Sequence, residues 1–91
     1  MKTFDFISFI DNVKMMVKNI VKTFDYAGEI HACFYINKNK DRITLSLSKR
    51  GSNEYNRIYI YKDMVNADNY DQYMLKYFNY TRSYIFRTAA I

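Results

Sequence analysis

Residues 29–62 read EIHACFYINKNKDRITLSLSKRGSNEYNRIYIYK, and this stretch decides the fold. Apolar and polar residues alternate in three runs, at 29–37, 42–48 and 55–62, which is the period of a half-buried β-strand. The segments between the runs, 37–41 and 50–54, are rich in Asn, Lys, Ser and Gly, as turns are. Two short turns between three alternating runs predict an antiparallel meander.

The alternation places the aliphatic side chains on one face of this sheet, which we expect to be buried. It predicts these cross-strand pairs: Phe34 with Leu45, Ile36 with Ile43, Ala32 with Leu47, Leu47 with Ile58, and Leu45 with Ile60. The other face then carries mostly polar and aromatic side chains: His31, Tyr35, Arg42, Thr44, Ser46, Ser48, Tyr55, Arg57, Tyr59 and Tyr61.

A long helix precedes the sheet, because apolar residues between positions 3 and 27 recur at intervals of three and four. The stripe consists of Phe6, Ile10, Val13, Val17, Ile20 and Phe24. Thr3 is the expected N-cap and Asp5 lies in the expected first turn, where a negative charge suits the helix dipole. Gly28 is the expected residue just beyond the C-terminal cap.

A second helix is predicted from about residue 69 to beyond residue 80, with Asn66 or Asp68 as its cap. Residues 83–88 are rich in strand formers, so a fourth strand there is the alternative. The chain of 91 residues is therefore expected to form one α+β domain: a long N-terminal helix, a three-stranded antiparallel meander and a C-terminal helix.

The composition narrows the class of protein. A net charge of +5 favours anionic partners. The single cysteine, Cys33, excludes an internal disulfide and fits a reducing compartment, and no apolar run approaches the length of a membrane span. We expect a cytoplasmic protein in its host cell and no membrane partner.

Residues with AT-rich codons (Tyr, Ile, Asn and Lys) make up 38 of the 91 positions, which suggests a low-GC bacterium, a phage or a virus.

The polar sheet face is the strongest candidate for a functional site, since Tyr and Arg anchor many recognition surfaces. The predicted binding residues are Tyr35, Arg42, Thr44, Tyr55, Arg57, Tyr59 and Tyr61. The alternative is that the second helix or a partner subunit covers part of this face. A second candidate is a basic ridge of Lys14, Lys18 and Lys22, spaced by four on the first helix and expected opposite its core stripe. Further basic residues mark the two turns, at Lys38 and Lys40 and at Lys49 and Arg50.

Catalytic chemistry has little support. His31 is the only histidine, so a two-histidine metal site is excluded, and one cysteine cannot supply a zinc cluster. The chain has no phosphate-binding Gly-rich loop and no nucleophile motif. We therefore expect no metal, no cofactor and no enzymatic activity.

In size and in its helix–three-strand–helix order the chain resembles small phage-encoded inhibitors of the anti-CRISPR type. That resemblance implies a non-enzymatic protein that inhibits a host nucleic-acid-handling (CRISPR-like) defence complex by steric docking. The partner is then a host protein or ribonucleoprotein, and the sequence leaves a homodimer open.

Two alternatives remain from the sequence. One is a DNA- or RNA-binding domain that uses the Tyr/Arg face and the lysine ridge; its exposed three-stranded sheet is similar to that of integrase arm-binding domains, with Arg42, Thr44, Arg57 and Tyr59 as the readers. The other is a small ribonuclease toxin, which shares size, basic charge and a Tyr/Arg-bearing sheet but begins with a strand rather than a helix.

Overall fold

The computed structural model describes residues 4–89 and shows an α+β fold in the predicted order. Helix α1 spans Phe6–Phe24, and the strands β1, β2 and β3 span Ile30–Ile36, Arg42–Lys49 and Tyr55–Tyr61. A short 3₁₀ turn at Lys62–Met64 leads to helix α2 at Tyr70–Ala89. The strands form one antiparallel sheet in the order β1-β2-β3. In the part of the chain described, neither helix has the apolar length needed to cross a bilayer.

Helix α1 begins at an aspartate cap. The Asp5 carboxylate accepts hydrogen bonds from the Ile7 amide at 3.0 Å and from the Ser8 hydroxyl at 2.8 Å. The Ser8 hydrogen bond lowers the pKa of Asp5 below its ordinary value. Asp5 is thus the N-cap rather than a first-turn residue, and the expected cap Thr3 lies outside the described residues.

A second aspartate ends α1 earlier than expected. The Asp25 amide donates to the Val21 carbonyl at 2.9 Å, and the Asp25 carboxylate accepts from the amides of Glu29 and Ile30. These bonds turn the chain from the helix into β1. Gly28 has a φ of +67° within this turn, so its expected place next to the helix cap is wrong.

The predicted pairing is right between β1 and β2 and wrong between β2 and β3. The observed pairs in the second case are Leu47 with Asn56, Leu45 with Ile58 and Ile43 with Ile60. The turn is tighter than expected: the Ser52 amide donates to the Lys49 carbonyl at 3.0 Å, and Gly51 supplies a φ of +83°. Because the register differs by two residues, every side chain keeps its predicted face.

The aliphatic face of the sheet, called the inner face below, is covered by both helices. Its central residues Ile43, Leu45, Leu47 and Ile60 are fully buried. The core residues of the helices are Phe6, Phe9, Ile10, Val13, Val17 and Ile20 of α1 with Tyr77, Tyr84 and Ile85 of α2. Two polar residues lie on this face: Lys49, opposite Ile30, and Asn56, whose side-chain oxygen accepts a hydrogen bond from the Tyr80 hydroxyl.

Residues 83–88 continue helix α2, so the alternative of a fourth strand is wrong. Tyr84 and Ile85 are buried in the core, and the Phe86 ring lies 5.3 Å from the Phe24 ring, centroid to centroid. Burial at helical spacing outweighs the strand preference of the individual residues here.

The start of α2 is held by two asparagines. The Asn66 side chain accepts hydrogen bonds from the amides of Asp68 and Asn69, and the Asn69 side chain accepts from the Asn66 amide. Asn69 directly precedes the helix. The prediction of Asn66 or Asp68 as the cap is therefore wrong, because Asn69 holds the position before the helix, while Asn66 organises the turn that leads into it.

We predict that core and surface leucines respond very differently to truncation. Leu45→Ala removes a fully buried side chain beneath both helices and should lower the unfolding free energy by about 2–5 kcal/mol. Leu75→Ala, at a position 60% exposed on α2, should change it by no more than about 0.5 kcal/mol. Urea denaturation of the two variants checks this, and equal losses would contradict the assigned core.

We predict alkaline unfolding driven by buried phenols. Burial raises the pKa of Tyr77 well above the ordinary value of 10.0, and burial raises the pKa values of Tyr80 and Tyr84 too. The unfolded phenols ionise near pH 10 while the folded ones stay neutral. Stability is therefore complete below about pH 10 and falls as the pH rises further.

Tyr77→Phe, which cannot ionise, should move the alkaline midpoint to higher pH. Tyr26→Phe, at a position 92% exposed, serves as the control and should leave the midpoint unchanged. Circular dichroism against pH measures both. Identical midpoints for Tyr77→Phe and the parent protein would refute the role assigned to Tyr77.

Candidate binding face

The sheet face opposite the helices, called the outer face below, is open to solvent. Neither helix covers it, because α1 and α2 both pack on the inner face. The alternative in which α2 hides the tyrosines is therefore wrong. Four tyrosines on this face remain widely exposed: Tyr35 at 59%, Tyr55 at 60%, Tyr59 at 46% and Tyr61 at 41%.

Three cross-strand rows organise the outer face, and in each a small hydroxyl residue of β2 separates larger neighbours. The rows are Tyr35–Thr44–Tyr59, Cys33–Ser46–Arg57 and His31–Ser48–Tyr55, and Arg42 pairs with Tyr61 beyond the first row. Because side chains directly opposite each other lie about 5 Å apart, each row forms one contact unit. The sheet thus presents a floor of hydroxyl groups between aromatic and cationic walls.

This arrangement leaves a shallow depression of about 510 Å³ in the middle of the face. Its lining residues are Tyr35, Arg42, Thr44, Ser46, Tyr55, Arg57 and Tyr59. Six of the seven predicted binding residues therefore lie together. Tyr61 lies outside the depression, next to Tyr59 with 6.4 Å between ring centroids. Ser46 was missing from the predicted set of binding residues, although the alternation had already placed it on the outer face.

Both arginines of the outer face stack on tyrosine rings. The Arg42 guanidinium carbon lies 5.3 Å from the Tyr59 ring centroid, and that of Arg57 lies 5.6 Å from the Tyr55 centroid. Cation–π contact restrains each guanidinium beside its tyrosine ring. The planar group keeps its N–H donors at its edge, where they are available to a partner. Because this contact already restricts the two arginine side chains, they lose less conformational entropy when a partner binds.

The outer face carries positive charge, and acidic residues lie only at its margins: Asp41 and Asp63 line a depression with Arg42 and Tyr61, and Glu54 lines one with Tyr55 and Arg57. The nine carboxylate residues all lie in helices, caps and turns, and none is among the strand positions that point outward. Hydrogen bonding to the Cys33 thiol raises the pKa of the neighbouring Tyr35 phenol. That phenol stays neutral at physiological pH. The face is therefore a cationic, hydroxyl-rich surface suited to an anionic or strongly polar partner.

The lysine ridge lies elsewhere. Lys18 and Lys22 are exposed on the helix layer, on the opposite side of the protein from the outer face. The expectation that the whole ridge lies opposite the core is wrong for Lys14, which is half-buried with its Nζ 5.9 Å from the Phe34 ring centroid. The ridge and the outer face do not form one continuous basic surface.

The only histidine of the sequence lies away from the depression. His31 lies opposite Ser48 at one end of the sheet, and no strand position of the outer face carries a carboxylate to orient its imidazole. Among residues 4–89, no group of three His, Cys, Asp or Glu side chains could hold a metal ion. The tyrosines and arginines of the depression supply groups for stacking and hydrogen bonding.

Comparisons with known proteins identify no relative of this chain. A scan against protein-family models, a search of curated proteins and a search of solved structures all found no match. The interpretation of the outer face rests on its own residues and geometry.

Proposed function

We propose that this chain is a non-enzymatic binding protein, encoded by a phage or another mobile element. It docks its outer face onto a host nucleic-acid-handling complex of the CRISPR type and blocks that complex sterically. The observation that carries the proposal is the uncovered sheet face, on which arginine-stacked tyrosines surround a hydroxyl floor and no carboxylate is present.

Several features favour a protein surface as the target. Tyrosine and arginine are the residues most enriched at the energetic centres of protein interfaces. The other basic groups of the described residues are dispersed over the ridge, the two turns, the 3₁₀ turn at Lys62 and helix α2, where Lys76, Arg82 and Arg87 lie, rather than concentrated on the outer face. Complexes that handle nucleic acids also expose acidic residues around their catalytic metals. A carboxylate-free face is complementary to such a patch.

We predict that single substitutions on the outer face abolish inhibition without unfolding the protein. Arg57→Ala and Tyr59→Ala each remove one wall of the depression and should weaken binding about 30-fold or more, as hot-spot residues do. Tyr26→Ala, off this face and 92% exposed, is the matched control and should bind like the parent protein. All three variants should keep the parent's unfolding free energy within about 1 kcal/mol.

The measurement is nuclease inhibition across a panel of purified CRISPR effector complexes from low-GC bacteria, together with the affinity for each complex. The proposal expects inhibition of at least one effector, lost in the two outer-face variants and retained in Tyr26→Ala. It fails if no effector is bound, or if the inhibited effector responds equally to all the variants.

A direct nucleic-acid binder is the second candidate, favoured by the two arginine–tyrosine stacks, since bases stack on aromatic rings and guanidinium planes. It predicts affinity for DNA or RNA that falls linearly in log–log plots against salt, with a slope near −0.9 per phosphate contacted on duplex DNA. Arg57→Ala should then cost about 1–3 kcal/mol if Arg57 contacts a base. Tight, salt-sensitive binding by the isolated protein would replace the docking proposal, whereas weak binding that is insensitive to Arg57→Ala would eliminate this candidate.

A further inference from the structure

The outer edge of β1 is an unpaired strand with its backbone groups available. The Asn37 amide donates to the Arg42 carbonyl and the Arg50 amide donates to the Glu29 carbonyl. These bonds show that odd-numbered residues of β1 direct their backbone groups toward β2. The even-numbered residues Ala32, Phe34 and Ile36 therefore direct theirs to the open edge.

The strand at this edge contains none of the residues that keep edge strands apart, and a charge lies near it on Lys14 of α1, whose Nζ lies 5.9 Å from the Phe34 ring centroid. Natural edges are protected by charged side chains, proline or bulges, but β1 reads IHACFYI and contains no Lys, Arg, Asp, Glu or Pro. The opposite edge strand, β3, has Arg57 at its centre. Apolar side chains of β1 itself also remain partly uncovered: Ile36 is 46% exposed and Phe34 is half-buried.

We propose that the β1 edge pairs with the β1 edge of a second copy of this chain, antiparallel about a two-fold axis at Cys33. Full overlap of the strand then places Ala32 opposite the partner's Phe34 and Ile30 opposite the partner's Ile36. Inner-face residues of one copy then lie opposite inner-face residues of the other, so the apolar sides of the two sheets stay on the same side of the joined sheet. The even-numbered residues supply about six backbone hydrogen bonds. The Ile30 amide is already bonded to the Asp25 carboxylate and marks the end of the ladder.

Charge complementarity favours a second copy as the occupant. The start of β1 is acidic, with Asp25 and Glu29, of which Glu29 pairs with Lys49 of its own chain at 3.6 Å; the turn after β1 is basic on balance, with Lys38 and Lys40 against Asp41. Antiparallel self-pairing brings the acidic start of each strand to the basic turn of the other. Because of the two-fold axis, this attraction between acidic and basic segments operates at both ends of the paired strands. In a parallel arrangement the acidic start of one strand would lie beside the acidic start of the other.

The pairing would extend the sheet to six strands and join the two outer faces. His31 would lie opposite the partner's Tyr35, so the two depressions would become parts of one surface. This inference does not depend on what the outer face binds, since it rests on the edge and not on the face.

Two measurements test the proposed dimer. The first is the mass of the protein in solution. Sedimentation velocity of the full chain over a hundredfold concentration range should show a species of about 22 kDa, twice the 11.0 kDa of the monomer. Ile36→Lys places a charge at the edge and should return the mass to that of the monomer. Tyr61→Lys, at the other edge and 41% exposed, is the matched control and should remain dimeric.

The second measurement tests the register. A non-hydrogen-bonded antiparallel pair has Cα atoms about 4.5 Å apart, within the range that a disulfide spans. Mild oxidation should therefore link Cys33 to the partner's Cys33. The control is the double variant Cys33→Ser with Tyr35→Cys, which moves the exposed thiol to position 35. In the proposed dimer the two thiols at position 35 lie about 13 Å apart along the paired strands, so this variant should not cross-link.

A monomer at every concentration would overturn the proposal. So would a dimer that survives Ile36→Lys, that is lost in Tyr61→Lys, or that cross-links as readily through position 35. Ile36→Lys monomers that still bind an effector through the outer face would leave the proposed function standing, and the two proposals therefore fail separately.

Discussion

The two helices and the inner face of the sheet bury one another, and the rest of the structure follows from that contact. Three strands alone cannot keep Ile43, Leu45 and Ile60 from water, so a second layer must cover them. Both helices take this role, with Val13 and Val17 of α1 and Tyr77 and Ile85 of α2 in the shared core. Both helices pack on one side, and residues 4–89 contain no further helix or strand to cover the other. The open outer face is a consequence of how the core is filled.

The period-two pattern was sufficient to predict which residues occupy each face. Tyr35, Arg57 and Tyr59 are exposed as their positions required, because a strand offers only two directions for a side chain. The assignment of residues to faces was also correct where the predicted register was wrong. The predicted pairing of Leu47 with Ile58 was wrong by two residues, and an even shift leaves each side chain on its own face.

The features that the sequence did not predict depend on individual contacts that helix and strand propensities do not describe. Asp25 ends α1 through hydrogen bonds to the amides of Glu29 and Ile30, and no helix-propensity argument contains that interaction. Helix α2 continues through residues 83–88 because Tyr84 and Ile85 pack into a core supplied by other elements. The depression likewise depends on three strands lying in register, so its lining could be predicted only in part.

The separation of the basic groups shapes the functional interpretation. Arg42 and Arg57 lie on the outer face, whereas Lys18 and Lys22 lie on the helix layer. One partner in contact with the outer face cannot also reach the lysines unless it wraps around the sheet. A compact docking surface on one side of the sheet therefore fits the charge distribution better than an extended track along nucleic acid does.

The account depends most directly on the outer tyrosines being accessible in the folded protein. Hydroxyl-radical footprinting with mass spectrometry measures this residue by residue. Tyr35, Tyr55 and Tyr59 should be oxidised at rates close to those of the unfolded chain, while Tyr77 should be strongly protected. Protection of the three outer tyrosines to the same degree as Tyr77 would contradict the structure of the face and remove the proposed binding site with it.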